Sequence, residues 1–153
     1  MAAALCLAPA AHAQQLTATE LSAGAATVLA RRSFIGGELG FARRPSGQSR
    51  VALTVAGGTA ANRPAARVQM TWQFLVAPAA RRGTGLYAGL GAAYAARRES
   101  PGAGFLAVVL GLEAAPGRAR GPQNWYVELG LAGGVRVAAG WRLRWFPSWW
   151  STR

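Results

Sequence analysis

The sequence predicts an all-β chain, an antiparallel up-and-down barrel of eight strands, on three observations. Apolar residues recur with period two in eight runs, and helical period is nearly absent. Clusters of Gly, Pro, Ser, Asn and Arg divide the runs at nearly even spacing. The second face of the runs is mostly Gly and Ala, not the Lys, Glu, Thr and Ser of a water-facing surface. Even spacing without helices belongs to sandwiches and barrels.

The first run sets Leu21, Ala23, Ala25, Thr27 and Leu29 against Glu20, Ser22 and Gly24. The second sets Ile35, Leu39 and Phe41 against Gly36, Glu38 and Gly40. The third sets Val51, Leu53 and Val55 against Arg50, Ala52 and Thr54. The fourth is the clearest: Val68, Met70, Trp72, Phe74 and Val76 share one face, and Arg67, Gln69, Thr71 and Gln73 the other. The fifth sets Leu86, Ala88, Leu90, Ala92 and Tyr94 against Tyr87, Gly89, Gly91 and Ala93. The sixth sets Leu106, Val108, Leu110 and Leu112 against Ala107, Val109, Gly111 and Glu113. The seventh sets Trp125, Val127, Leu129 and Leu131 against Tyr126, Glu128, Gly130 and Ala132. The eighth sets Val135, Val137, Ala139, Trp141, Leu143 and Trp145 against Arg136, Ala138, Gly140, Arg142 and Arg144. Breaks are expected at 30–33, 43–47, 57–64, 78–83, 97–102, 116–122 and 133–134.

Composition says what surrounds the barrel. The chain has 153 residues, enough for one domain, of which 52% are apolar and 14% charged; a soluble domain carries about a quarter charged residues. Lysine and aspartate are absent, all 17 positive side chains are Arg, and the five acids are Glu20, Glu38, Glu99, Glu113 and Glu128. No stretch reaches the roughly 18 uninterrupted apolar residues of a membrane helix. A Gly/Ala face is poor for solubility and apt for a narrow interior, because eight strands leave just enough room for side chains to fill the inside. The Leu, Val, Trp, Phe and Met face then meets lipid, where a closed barrel satisfies every strand hydrogen bond. Several runs also have the roughly nine to eleven residues of a tilted membrane strand. The expectation is a transmembrane barrel; the alternatives are a narrow channel and a soluble secreted ligand-binding barrel.

Domain organisation follows. Residues 1–13 read as a signal peptide: Met1 to Ala11 are small and apolar, and Ala11-His12-Ala13 is a small-x-small cleavage site, although the basic start is missing. Residues 14–146 make the barrel and 147–153 a C-terminal tail. Cys6, the single cysteine, and His12, the single histidine, both fall in the leader.

Taken together, the eight alternating runs, the leader and the ending Gly140-Trp141-Arg142-Leu143-Arg144-Trp145-Phe146 resemble the small outer-membrane barrel superfamily, the OmpA-like and OmpX-like proteins. The resemblance covers nearly all of the mature chain. It implies location in a bacterial outer membrane and a closing aromatic, Trp145 or Phe146, read by the barrel-assembly machinery. The extension Pro147 to Arg153 departs from the pattern. The loops depart too: the breaks after odd-numbered strands, near Arg31 and Gly133, are the shortest, whereas the resemblance implies long ones there.

The charges point inward. Glu20, Glu38, Glu113 and Glu128 share the polar face with Arg50, Arg67, Arg136, Arg142 and Arg144. A charge inside a narrow lumen is costly unless paired, so these nine are expected to form an ion-paired plug. A three-residue turn at Ala132-Gly133-Gly134 would set Glu128 opposite Ala138 and diagonal to Arg136. Trp125, Trp141, Trp145, Trp149 and Trp150 fall near strand ends or in the tail, where interface aromatics form girdles; Trp72 is expected deeper in lipid. The mature chain has no His, Asp, Lys or Cys to activate a nucleophile or to bind metal well. No catalytic, cofactor or metal site is therefore expected. The Arg pairs at 31–32, 43–44, 81–82 and 97–98 are candidates for phosphates of lipopolysaccharide or of inner-leaflet headgroups. Nucleic acid is excluded by the leader and the lack of a basic helix. The overall reading is a monomeric, non-enzymatic envelope protein with a structural, adhesion or envelope-interaction role.

Overall fold

The computed structural model describes residues 16–98, 100–119 and 124–151. The leader reading therefore lies outside the described residues. Eight antiparallel strands close into a barrel: β1 (Ala18–Leu29), β2 (Phe34–Arg44), β3 (Ser49–Ala60), β4 (Arg63–Leu75), β5 (Thr84–Arg97), β6 (Ser100–Ala114), β7 (Trp125–Leu131) and β8 (Val135–Trp145). Each pairs with the next in sequence, and β8 returns to β1 from Leu29↔Val135 to Thr19↔Trp145. A four-residue helix, α1 (Ser148–Ser151), follows.

The period-two pattern decides which face is which. In β8 exposure alternates without a break, with Arg136, Ala138, Gly140, Arg142 and Arg144 inside and Val135, Val137, Trp141, Leu143 and Trp145 outside. The other strands repeat the scheme, so the outer wall is a continuous belt of large apolar side chains; Leu39 is 68% exposed, Trp72 69% and Leu106 73%.

Two turns are tighter than the sequence pattern suggests. The 57–64 break shrinks to residues 61–62: Gly57 and Gly58 lie within β3 and Pro64 within β4. Ala61 and Asn62 have φ of 49° and 62°, the twist of a two-residue hairpin. Gly58 serves close strand approach instead, because a Cβ there would stand 2.1 Å from the Ile35 carbonyl oxygen, whereas one on Gly57 would meet nothing within 4 Å. Likewise Pro101 and Gly102 lie inside β6, leaving only 98–99 between β5 and β6. The β7–β8 turn is Ala132–Gly134, with Gly133 at φ 75° and Gly134 at φ 152°; it sets Glu128 opposite Ala138.

The two ends differ. Connections 30–33, 61–62, 98–99 and 132–134 have two to four residues; on the side of the chain ends 45–48 has four, and 76–83 and 115–124 are longer. The walls at the short-turn end are uneven: β6 begins at Ser100, whereas its ladder with β7 begins only at Val108. Small apolar clusters sit inside near this end, Val28–Phe34–Ala56 and Ala93–Ala107–Ala132. The lumen toward the chain ends is polar.

Candidate functional site

Inward-facing charges organise into two linked clusters. The lower one, toward the chain ends, holds Glu20 from β1 and Glu113 from β6 among Arg44, Arg50, Arg142 and Arg144. Arg50 Nη1 reaches Glu20 Oε2 at 3.0 Å and Glu113 Oε2 at 2.9 Å. Arg144 Nη2 donates to Glu113 Oε2 at 2.9 Å, and Arg142 donates to the same oxygen. Arg44 pairs with Glu20 and approaches Glu113 at 3.5 Å. Arg50 also donates through Nε to Gln73 Oε1 at 2.7 Å, and Gln73 donates to Thr71 Oγ1 at 2.9 Å.

The upper cluster is centred on Arg136. Its two terminal nitrogens donate to Glu128 Oε2 and Glu38 Oε2, each at 2.6 Å. Tyr87 donates to the other oxygen of Glu128 at 2.8 Å and Tyr126 to the other oxygen of Glu38 at 2.9 Å. Arg142 joins the clusters, with Nη2 3.7 Å from Glu128 and its guanidinium 4.7 Å from the Tyr126 ring centre. Arg50 lies 4.3 Å from the Tyr87 ring centre. All four carboxylates are 5% exposed or less, so both oxygens of each depend on protein donors. Two spaces beside these groups are about 10 Å³ each, room for one water at most.

The ends of this packed column differ. At the chain-end side, Arg81 lies 4.3 Å from the Trp150 ring centre and donates to the Trp150 carbonyl, while the Trp150 indole donates to the Gly117 carbonyl at 2.7 Å. At the short-turn side the barrel opens into a cup of 790 Å³. Arg31, Arg32, Arg67 and Arg97 line it, together with Phe34, Phe105 and a wall of alanines.

No family model matches the sequence, and neither does any curated protein. Among solved structures, the N-terminal β-barrel domain of Pseudomonas aeruginosa OprF aligns over 86% of this chain and 98% of its own, at a TM-score of 0.56 and 14% identity. The chain has the fold of the small eight-stranded outer-membrane barrels. Ail, the attachment invasion locus protein of Yersinia pestis, aligns over 84% of this chain and 99% of its own at a TM-score of 0.45 and 14% identity. Ail in complex with the heparin analogue sucrose octasulfate gives 0.42 and 15% over 84% and 99%.

Within this outer-membrane-barrel fold, the nine inward charges named from sequence do not all meet. Glu20, Glu38, Glu113, Glu128, Arg50, Arg136, Arg142 and Arg144 occupy the two clusters. Arg67 stands apart. Four residues into β4, it is half-buried under the cup, donates to the Ala132 carbonyl and lies 5.8 Å from the Phe34 ring centre. Arg44 takes a place in the lower cluster that sequence reasoning missed, having read 43–44 as a turn. Period two continues through Glu38, Gly40, Ala42 and Arg44, and that parity was the available signal. Arg44 is fully buried and hence unavailable to an external phosphate; Arg81 is engaged with Trp150. Tyr87 and Tyr126 were legible as inward residues but not as donors.

The aromatics differ from expectation in one respect. Trp125 and Trp141 are cross-strand partners, Trp145 ends β8, and Trp149 and Trp150 lie in α1, all toward the chain-end side. Trp72, expected deeper, is three residues from the same end of β4, because that strand begins at Arg63 and not at Arg67. The six tryptophans therefore mark one rim, not two.

Proposed function

We propose that this chain is a non-enzymatic integral protein of the bacterial outer membrane, a sealed barrel with a structural, adhesion or envelope-interaction role. The observation that carries the reading is the division of the wall: large apolar side chains cover the outside of all eight strands, and the strand carboxylates point into a lumen filled by ion pairs. Exposed in water, that belt would far exceed the few hundred Å² that a soluble monomer tolerates. In a bilayer it is the favourable surface, and the closed ladder leaves no strand edge unsatisfied. Its partners are then outer-membrane lipids and, during insertion, the barrel-assembly machinery, and the chain acts as a monomer. The indole-rich rim would sit at one headgroup level. Each lumen carboxylate is held by Arg. A carboxylate so paired is a poor base for activating a nucleophile.

Membrane fractionation joined to a heat-modifiability gel tests this. The protein should stay with outer membranes and run differently in SDS before and after boiling. Recovery as a fully soluble protein without detergent would overturn the reading. A large steady conductance in planar bilayers would overturn the seal.

A further inference from the structure

We propose that the cup at the short-turn end is a binding site for an amphiphilic anion, a phosphate monoester carried on a small apolar body. Its 790 Å³ falls within the range of small-molecule sites, about 300–1,000 Å³. Arg31, Arg32, Arg67 and Arg97 line it, and no acidic residue does among those described. Arg67 is the most telling of the four. Half-buried at the floor, it has a backbone carbonyl and the Phe34 ring for company, while every Glu in the lumen below is held by other arginines. A guanidinium so placed lacks an anion, and its planar fork matches phosphate oxygens bidentately. Four arginines in one cup favour a dianion over a single carboxylate. Apart from Ser100, the remaining lining is apolar, mostly alanine with Phe34 and Phe105, and favours apolar contact over recognition of a sugar. Among the described residues, the 61–62 and 132–134 turns are too short to cover the mouth, so a ligand needs neither to move.

The test titrates the whole protein, folded in phosphatidylcholine nanodiscs, with hexyl phosphate in a calorimeter. Inorganic phosphate and hexanol serve as the two half-ligands. Hexyl phosphate should saturate one site, inorganic phosphate should bind at least tenfold more weakly, and hexanol should not bind. Arg67→Gln and Arg97→Gln should each weaken hexyl phosphate at least fivefold, and Arg82→Gln, in the 76–83 loop at the other end, should leave it unchanged. Unaltered heat-modifiability of each variant shows that it is folded. Absence of saturable binding, equal affinity for inorganic phosphate, or an unchanged Arg67→Gln variant would each overturn the proposal. Phosphatidic acid added to the discs separates the sources. Competition assigns the cup to a membrane headgroup; unchanged affinity assigns it to a soluble ester. Both results support the site.

Discussion

Replacing Glu113 with Gln probes the lower cluster where it is most concentrated. Three arginines, Arg50, Arg142 and Arg144, converge on Oε2 of Glu113, and Arg44 faces Oε1 at 3.5 Å. An amide has nearly the same shape, and its oxygen can take the Oε2 position. Packing and most hydrogen bonds therefore survive, and the change isolates the charge. Loss of a neutral hydrogen bond costs about 1 kcal/mol net. Leaving a buried charge without its partner costs about 3–5 kcal/mol. Here Arg44, Arg50 and Arg144 would be left with Glu20 as their carboxylate, and Arg142 with Glu20 and a 3.7 Å approach to Glu128, so we expect the upper part of that range, about 4–5 kcal/mol. Equilibrium urea unfolding in lipid vesicles, followed by tryptophan fluorescence, measures it. Adding Arg144→Gln to Glu113→Gln should cost little more, because it removes a charge already stranded. A loss near 1 kcal/mol, or strict additivity of the two changes, would refute the argument that charge pairing holds the lumen.

Further predictions follow from other contacts. Glu128→Ala should destabilise the barrel, and Arg136→Ala should be strongly non-additive with it, since the two share a 2.6 Å ion pair; a double-mutant cycle reads this directly. Leu53→Arg, on the outer face of β3, should cost about 2–4 kcal/mol in vesicle-based unfolding if it lies near the bilayer midplane; tolerance equal to that of a loop site would reverse the face assignment. Gly111→Ala should cost about 1–3 kcal/mol, because the new Cβ would stand 2.2 Å from the Tyr87 ring and displace its hydroxyl from Glu128; a shift in the unfolding midpoint reports it.

Much of this was legible because a strand's period is two. Once Val68, Met70, Trp72 and Phe74 are placed outside, Gln69, Thr71 and Gln73 must be inside, and the same parity carries Glu20, Glu113 and Arg142 into the lumen. Parity does not say how far along the axis a residue lies. That is why Arg67, on the correct face, stands under the cup and not among the carboxylates, and why Trp72 lies nearer a rim than expected. Glycine also carries two meanings that sequence does not separate. Gly133-Gly134 is a turn with positive φ, whereas Gly58 is a close crossing inside a strand. Arg44 was hidden by its neighbours, since Arg-Arg-Pro-Ser-Gly reads as surface turn although only 45–48 leave the sheet.

The uneven ends of the barrel follow from the same economy of side chains. A lumen this narrow fills where long inward residues are dense, and those cluster toward the chain ends: Glu20, Arg44, Arg50, Glu113, Arg142 and Arg144. There residues 76–83, 115–119 and α1 fold over the column, with Arg81 and Trp150 closing onto Gly117. Toward the short turns the inward residues shrink to alanine, at positions 60, 65, 93, 95 and 103 among others, and small side chains cannot fill an eight-stranded bore. Turns such as 61–62 and 132–134 are too short to roof it. A void with apolar walls and arginines around it is the consequence, and it persists because the ion pairs beneath hold the strands in register without needing the space above to be packed.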